Sequence, residues 1–237
     1  MTYTLIANWK MNGDLTFFHD YFRAFEGFSF PENAQMIVAP QAPLLSAYKP
    51  NRAIKLAAQN MSEHSSGAYT GEINASLLKS LEINYVILGH SERRQYFHES
   101  NALIQEKAIQ AIKHGIKPII CIGESFKAYE AEETFKVLEK QLYEALPKSA
   151  TSDEFLIAYE PLWAIGTGKT PTLDEIASTH AFIAEKTKSH GAVSILYGGS
   201  VKASNANEIM AQTHVHGVLV GGASLKPDEF KTIIKAV

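Results

Sequence analysis

The chain has almost no cysteine, no excess charge of either sign and no long apolar run. Its one cysteine, Cys121, has no partner for an internal disulfide, which fits a reducing compartment and predicts a cytoplasmic protein. Lys and Arg number 22 against 25 Asp and Glu, a net charge of −3, so no basic face is announced and nucleic acid is not an expected partner. No apolar stretch approaches the roughly 20 residues of a membrane-crossing helix. The first seven residues lack a basic region followed by an apolar core and a cleavage site, so they read as a strand rather than a leader. No low-complexity segment or Pro/Gly/Ser-rich linker divides the chain, which predicts one domain over residues 1–237.

Several binding motifs are incomplete. Gly168-Lys169-Thr170 ends like a P-loop, but Trp163 stands where the first glycine is required. Asn8-Trp9-Lys10 follows the first apolar run, where an open nucleotide-binding sheet needs Gly-x-Gly-x-x-Gly. His214-x-His216 has the look of a metal pair, yet no further ligand group accompanies it, and it reads as surface. Cys121, inside Ile119-Ile120-Cys121-Ile122, reads as a buried apolar thiol.

What is present is a rhythm. Short apolar runs occur at Tyr3–Asn8, Met36–Ala39, Ile54–Ala58, Tyr85–Leu88, Pro118–Ile122, Phe155–Tyr159, Ser194–Tyr197 and Val218–Val220. They do not alternate polar with apolar residues, so they predict parallel strands buried on both faces. Helical periodicity lies between them: Leu15, Phe18, Phe22 and Phe25; Ile104, Ala108 and Ile112; Leu173, Ile176, Ala177, His180 and Ile183; Phe230, Ile233 and Ile234. Thr172 with Glu175 predicts a capping box, and Gly115 and Gly191 predict left-handed helix caps. Eight strands alternating with helices in units of about 30 residues fit a single α/β barrel, (β/α)8, better than an open doubly wound sheet.

In such a barrel, chemistry sits at the C-terminal strand ends. Asn8, Lys10, Gln59, His90, Glu160, Ser200, Gly221 and Gly222 all fall there. Glu160 is either a solvated loop acid or a general base. Pro161 holds it on extended backbone, and Leu162, Trp163 and Ile165, ending in Gly166 and Gly168, have the makings of a hinged apolar lid. Burial under that lid is expected to raise its pKa. His90 is either a hydrogen-bonded core residue or an electrophile kept neutral by the short helix that Ser91-Glu92-Arg93-Arg94 begins. Lys10 is a surface lysine or an anion-holding cation, with Glu92 to pair with it and Asn8 to hydrogen-bond nearby. Singly, Gly166, Gly198-Gly199-Ser200 and Gly221-Gly222 are tight turns; together at one mouth they predict a phosphate site, with a helix N-terminus after Gly222. The long polar loop Ser62–Glu72, with Tyr69 at its tip, is either a loose surface loop or a functional one.

The segment Tyr159-Glu160-Pro161-Leu162-Trp163-Ala164-Ile165-Gly166-Thr167-Gly168-Lys169 resembles the catalytic segment of the triosephosphate isomerase family. So do Asn8-Trp9-Lys10, Gly67-Ala68-Tyr69-Thr70-Gly71-Glu72, Gly89-His90-Ser91-Glu92-Arg93-Arg94, Cys121-Ile122-Gly123-Glu124, Tyr197-Gly198-Gly199-Ser200 and Val220-Gly221-Gly222-Ala223-Ser224-Leu225, in the family's order. The resemblance implies interconversion of dihydroxyacetone phosphate and D-glyceraldehyde 3-phosphate through an enediol(ate). Glu160 would be the base, a neutral His90 and Lys10 the stabilisers of the intermediate, and Asn8, Lys10, Gly166, Ser200, Gly221 and Gly222 would hold the substrate. It implies no metal or organic cofactor, contact between Glu124 and Trp163, and a homodimer in which the Ser62–Glu72 loop brings Thr70 to the partner's site while Arg93 holds Glu72 across the interface. The chain departs from the family in being short around its first and fifth helical regions, in Leu162 where Val is common, and in His98 where Gly is expected. A Schiff-base aldolase using Lys10 and a non-catalytic phosphate-binding protein are the rival readings.

Overall fold

The computed structural model describes residues 2–47, 53–165 and 169–237. Eight parallel strands form its centre: β1 (Tyr3–Asn8), β2 (Ala34–Ala39), β3 (Ile54–Ala58), β4 (Tyr85–Leu88), β5 (Lys117–Ile122), β6 (Leu156–Tyr159), β7 (Ser194–Tyr197) and β8 (Gly217–Val220). They pair in chain order, and β1 closes on β8, so the sheet is a barrel. The expected strands match, with the largest shift at β2, which begins at Ala34 rather than Met36.

The two faces of the strands explain why the runs do not alternate. One set of side chains, including Ile6, Ile37, Ile87, Ile119, Cys121 and Leu196, fills the barrel interior. The other, including Leu5, Val38, Val86, Ile120 and Ile157, packs under the surrounding helices. Both faces are dry, so both are apolar.

The helices are α1 (Leu15–Arg23), α2 (Ala75–Ser80), α3 (Ser91–Tyr96), α4 (Asn101–Lys113), α5 (Phe126–Glu130), α6 (Thr134–Ala145), α7 (Leu173–Lys186), α8 (Ala206–Met210) and α9 (Pro227–Ile234). The connection from β2 to β3 breaks the regular alternation: among the described residues it carries a 3-10 helix, Ala42–Ala47. Asp14 caps α1 by accepting the Phe17 N–H at 2.8 Å, and the helix buries Phe18 and Tyr21. Leu15 was expected on that face but is exposed in the first turn, and Phe25, though buried, lies past the helix end. Trp9 packs edge-on against Tyr21 at 4.7 Å and Phe17 at 4.9 Å, which anchors the end of β1 behind Lys10.

α7 opens with the expected capping box, Thr172 with Glu175, and buries Ile176, His180 and Ile183. Leu173, in its first turn, stays at the surface. Gly115 has φ +67° and lets the Ile116 N–H reach back to the Ala111 carbonyl at 2.9 Å, closing α4 as expected. Gly191 does not cap α7: that helix ends at Lys186, a 3-10 turn intervenes, and Gly191 has φ 99° with ψ −157°, outside the left-handed helical region. His214 is exposed, but His216 is half-buried rather than on the surface. Its N–H donates to the Ile195 carbonyl at 2.8 Å, its Nδ1 accepts the Ile195 N–H at 3.0 Å, and its carbonyl accepts the Thr4 N–H at 3.0 Å. It joins β7, β8 and β1 at the end of the barrel away from the strand C-termini. Among the described residues, no helix is long and apolar enough to cross a membrane.

Candidate active site

At the C-terminal ends of the strands, three carriers converge. β1 ends in Asn8, and Lys10 follows in a left-handed conformation, φ +53°. That backbone is held on both sides. The Lys10 N–H donates to Asn8 Oδ1 at 3.1 Å, and Gln59 Nε2 donates to the Lys10 carbonyl at 2.7 Å and the Ala39 carbonyl at 2.9 Å. Lys10 Nζ lies 2.6 Å from Glu92 Oε1.

β4 delivers His90, the N-cap of α3. The Glu92 N–H donates to His90 Nδ1 at 3.3 Å, so Nδ1 keeps its lone pair and Nε2 carries the proton. β6 delivers Glu160, 2% exposed, with Pro161 at φ −63° turning the chain into a 3-10 segment, Leu162–Ala164. Glu160 Oε1 sits 3.0 Å from His90 Nε2, and Oε2 accepts the Ser91 N–H at 2.9 Å. The lid segment is pinned behind it: Trp163 Nε1 donates to Glu124 Oε1 at 2.7 Å and stacks on Tyr129 at 4.1 Å.

These contacts reverse the expected electrostatics. Burial does push the Glu160 carboxyl upward, but His90, the Ser91 N–H and Lys10 together hold it below the ordinary carboxylate range. Burial likewise opposes a charged His90, while the Glu160 carboxylate, and then Glu92, raise its pKa above the ordinary value. From sequence, a raised Glu160 and a His90 whose charged form is disfavoured are expected; both shifts run the other way here, because the two side chains face each other. Without Glu160 beside it, His90 is left with burial and Lys10, which disfavour the cation, against Glu92 alone, which favours it.

A cavity of about 340 Å³ lies in front of this cluster. Asn8, Lys10, His90 and Glu160 form one side, and Ser200, Gly221 and Gly222 the other. Ser200 Oγ donates to the Ala164 carbonyl at 2.5 Å, tying the β7 loop to the lid segment. The helix expected after Gly222 is a short 3-10 turn, Gly222–Leu225, and the α-helix begins at Pro227. Gly166 lies outside the described residues. Sequence reasoning missed Lys202 and Lys226, which line the same cavity; each follows a glycine loop by a few residues, and that spacing is the signal. Among the described residues, no three His, Cys, Asp or Glu side chains converge as metal ligands. Thr70 lies on an exposed loop outside the cavity. Arg93 pairs within its own chain with Glu99 at 2.8 Å, and Glu72 is exposed. His98 has φ +55°, which accounts for the glycine expected there.

A family model described as triosephosphate isomerase matches residues 3–237. The chain belongs to the triosephosphate isomerase family. Curated relatives agree along its length. The triosephosphate isomerase of Mesomycoplasma hyorhinis is 43% identical over 233 residues, covering 95% of each chain. That of Alkaliphilus oremlandii is 52% identical over 190 residues, 76% of each. A crystal structure of triosephosphate isomerase from Bartonella henselae superposes with a TM-score of 0.91 at 36% identity, covering 100% of this chain and 99% of that one. The closed barrel is thus the family's fold carried by a chain of the family.

Proposed function

We propose that the cavity in front of Glu160 is where this chain, an aldose–ketose isomerase, interconverts dihydroxyacetone phosphate and D-glyceraldehyde 3-phosphate, a step of glycolysis and gluconeogenesis. Glu160 takes the carbon-bound proton and returns it to the neighbouring carbon. His90 donates from Nε2 to the substrate oxygen, and Lys10 places its charge beside the developing enediolate. Ser200, Gly221 and Gly222, with Gly166, bind the phosphate through N–H groups, and Lys202 and Lys226 add positive charge at the rim. The observation that carries the reading is the 3.0 Å approach of Glu160 to His90 on the wall of a cavity whose other wall is glycine loops. Substrate entering between them separates the pair. Glu160 then loses the largest of the contacts that depress its pKa and becomes a stronger base, while His90 loses the larger of the two carboxylate influences that raise its own. The apolar lid keeps water from the intermediate, which would otherwise expel phosphate. Isomerase turnover on D-glyceraldehyde 3-phosphate tests this: wild type should turn over and Glu160→Ala should lose about 10²–10⁴ of the rate. Folded wild type without turnover would defeat the assignment.

The active form is proposed to be an isologous homodimer, in the cytoplasm, with the whole chain as one domain. The loop Ser62–Glu72 is braced internally, with Tyr69 stacked on His64 at 3.8 Å, yet residues 65–72 stand exposed. Beside Lys10, a hollow of about 240 Å³ is rimmed by Met11, 86% exposed, and Phe97, 65% exposed. A partner's Thr70 seated there would cover both apolar side chains and brace the Lys10 turn.

A further inference from the structure

β5 and β6 stop pairing at Ile122 and Tyr159, at the mouth of the barrel. The chain after β6 nevertheless continues to lie on the chain after β5. The Glu160 N–H donates to the Ile122 carbonyl at 2.7 Å, and the Leu162 N–H to the Glu124 carbonyl at 3.1 Å. Between these bonds, Gly123 passes so close that a Cβ on it would fall 1.7 Å from the Glu160 carbonyl oxygen and 3.0 Å from Leu162 Cδ1. Residues 122–124 are the template against which the proposed base and the start of the lid are set.

Gly123 itself lies outside the strand pairing, so its N–H and carbonyl need other partners. A single side chain takes both. Gln141 Oε1 accepts the Gly123 N–H at 2.8 Å, and Gln141 Nε2 donates to the Gly123 carbonyl at 2.9 Å. Gln141 belongs to α6, which is anchored by buried Leu138, Leu142 and Ala145. Only an amide can accept and donate in this way from one plane; a carboxylate accepts, an ammonium donates, a thioether does neither to any extent.

We infer that Gln141 is a positioning residue for the isomerisation: by clamping Gly123 against Glu160 it sets the height of the base and the first hinge of the lid without touching the substrate cavity. The inference rests on Glu160 as base. Steady-state kinetics on D-glyceraldehyde 3-phosphate, with inorganic phosphate as competitive inhibitor, test it in Gln141→Met, Gln141→Glu and Glu160→Ala, each checked for folding by circular dichroism. Gln141→Met should lose about 10- to 100-fold in kcat through a misplaced base, with KM and phosphate inhibition little changed. Gln141→Glu keeps an acceptor for the Gly123 N–H but turns a second acceptor on the Gly123 carbonyl, so it should lose kcat as well with KM little changed, and it carries the same kcat-against-KM reading if the methionine variant does not fold. Wild-type kcat in a folded Gln141 variant, beside an inactive Glu160→Ala, overturns the inference and leaves the base standing. Turnover retained by Glu160→Ala overturns both.

Discussion

At the scale of single residues, the charges around the proposed base stand in pairs. Lys10 is matched by Glu92 and His90 by Glu160, so the proposed base rests as a stabilised anion. Shortening Glu160 to Asp withdraws the carboxylate by about one C–C bond from a position fixed by Ser91 and His90. Because that loss is felt where the proton moves, Glu160→Asp should cost about 10²-fold in kcat while KM changes less, read from steady-state kinetics. Unchanged kcat would remove Glu160 from the proton transfer. Glu160 and His90 are both legible as candidates from their places at strand ends. Their mutual contact is not, since they stand far apart in the chain and meet only through the barrel's curvature and their rotamers. For the same reason the sign of the Glu160 shift is read wrongly from the lid alone: burial is visible in the residues after Pro161, but the opposing His90 is not.

At the scale of elements, ends matter more than middles. The Thr172–Glu175 box is complete, the Thr172 N–H donating to Glu175 Oε2 at 2.7 Å and the Glu175 N–H to Thr172 Oγ1 at 3.2 Å. Thr172→Ala should therefore lower stability by about 1 kcal/mol in urea unfolding, with kcat untouched. His98 sits in the left-handed region, where a side chain costs energy that glycine avoids, so His98→Gly should raise stability by up to about 1 kcal/mol in the same assay. The strands are legible almost to the residue because parallel strands with two dry faces are continuous apolar runs. Helix faces are less so. Leu15 and Leu173 fit the periodicity, but each opens its helix, where the first turn still points away from the barrel. Gly191 shows the limit of reading glycine as a cap: the chain there needs positive φ for a turn, one turn later than the helix end.

At the scale of the whole molecule, stability and association respond to pH and to concentration. The layer between α7 and the strands holds His180, whose Nδ1 bonds the His214 carbonyl at 3.1 Å and whose pKa burial pushes down to about 4. The unfolded chain takes up a proton near the ordinary histidine value of about 6.5, before the folded one does. Stability from this group is thus complete above that value and lost as pH falls toward 4, about 2 kcal/mol of it between pH 7 and pH 5. Urea unfolding at those two pH values should show the loss in wild type and a smaller one in His180→Asn. Association belongs to this scale too. If the proposed dimer is the active form, specific activity should fall on dilution in step with the sedimentation coefficient, and Tyr69→Ala should shift both to higher protein concentration. Full activity from a monomer would refute it.

Closure of the sheet has one more consequence. Every strand has a neighbour on both sides, so the barrel offers no free edge on which another chain's backbone can pair. Fibril growth or strand exchange must first tear a seam open. The seam between β7 and β8 has a single registered pair, Tyr197 with Val218, and the strands it would release, Ser194–Tyr197 and Gly217–Val220, are apolar and β-prone. The ring and backbone of His216 both bind Ile195 beside that seam. A histidine remote from the chemistry thus adds two hydrogen bonds at the seam with the fewest registered pairs.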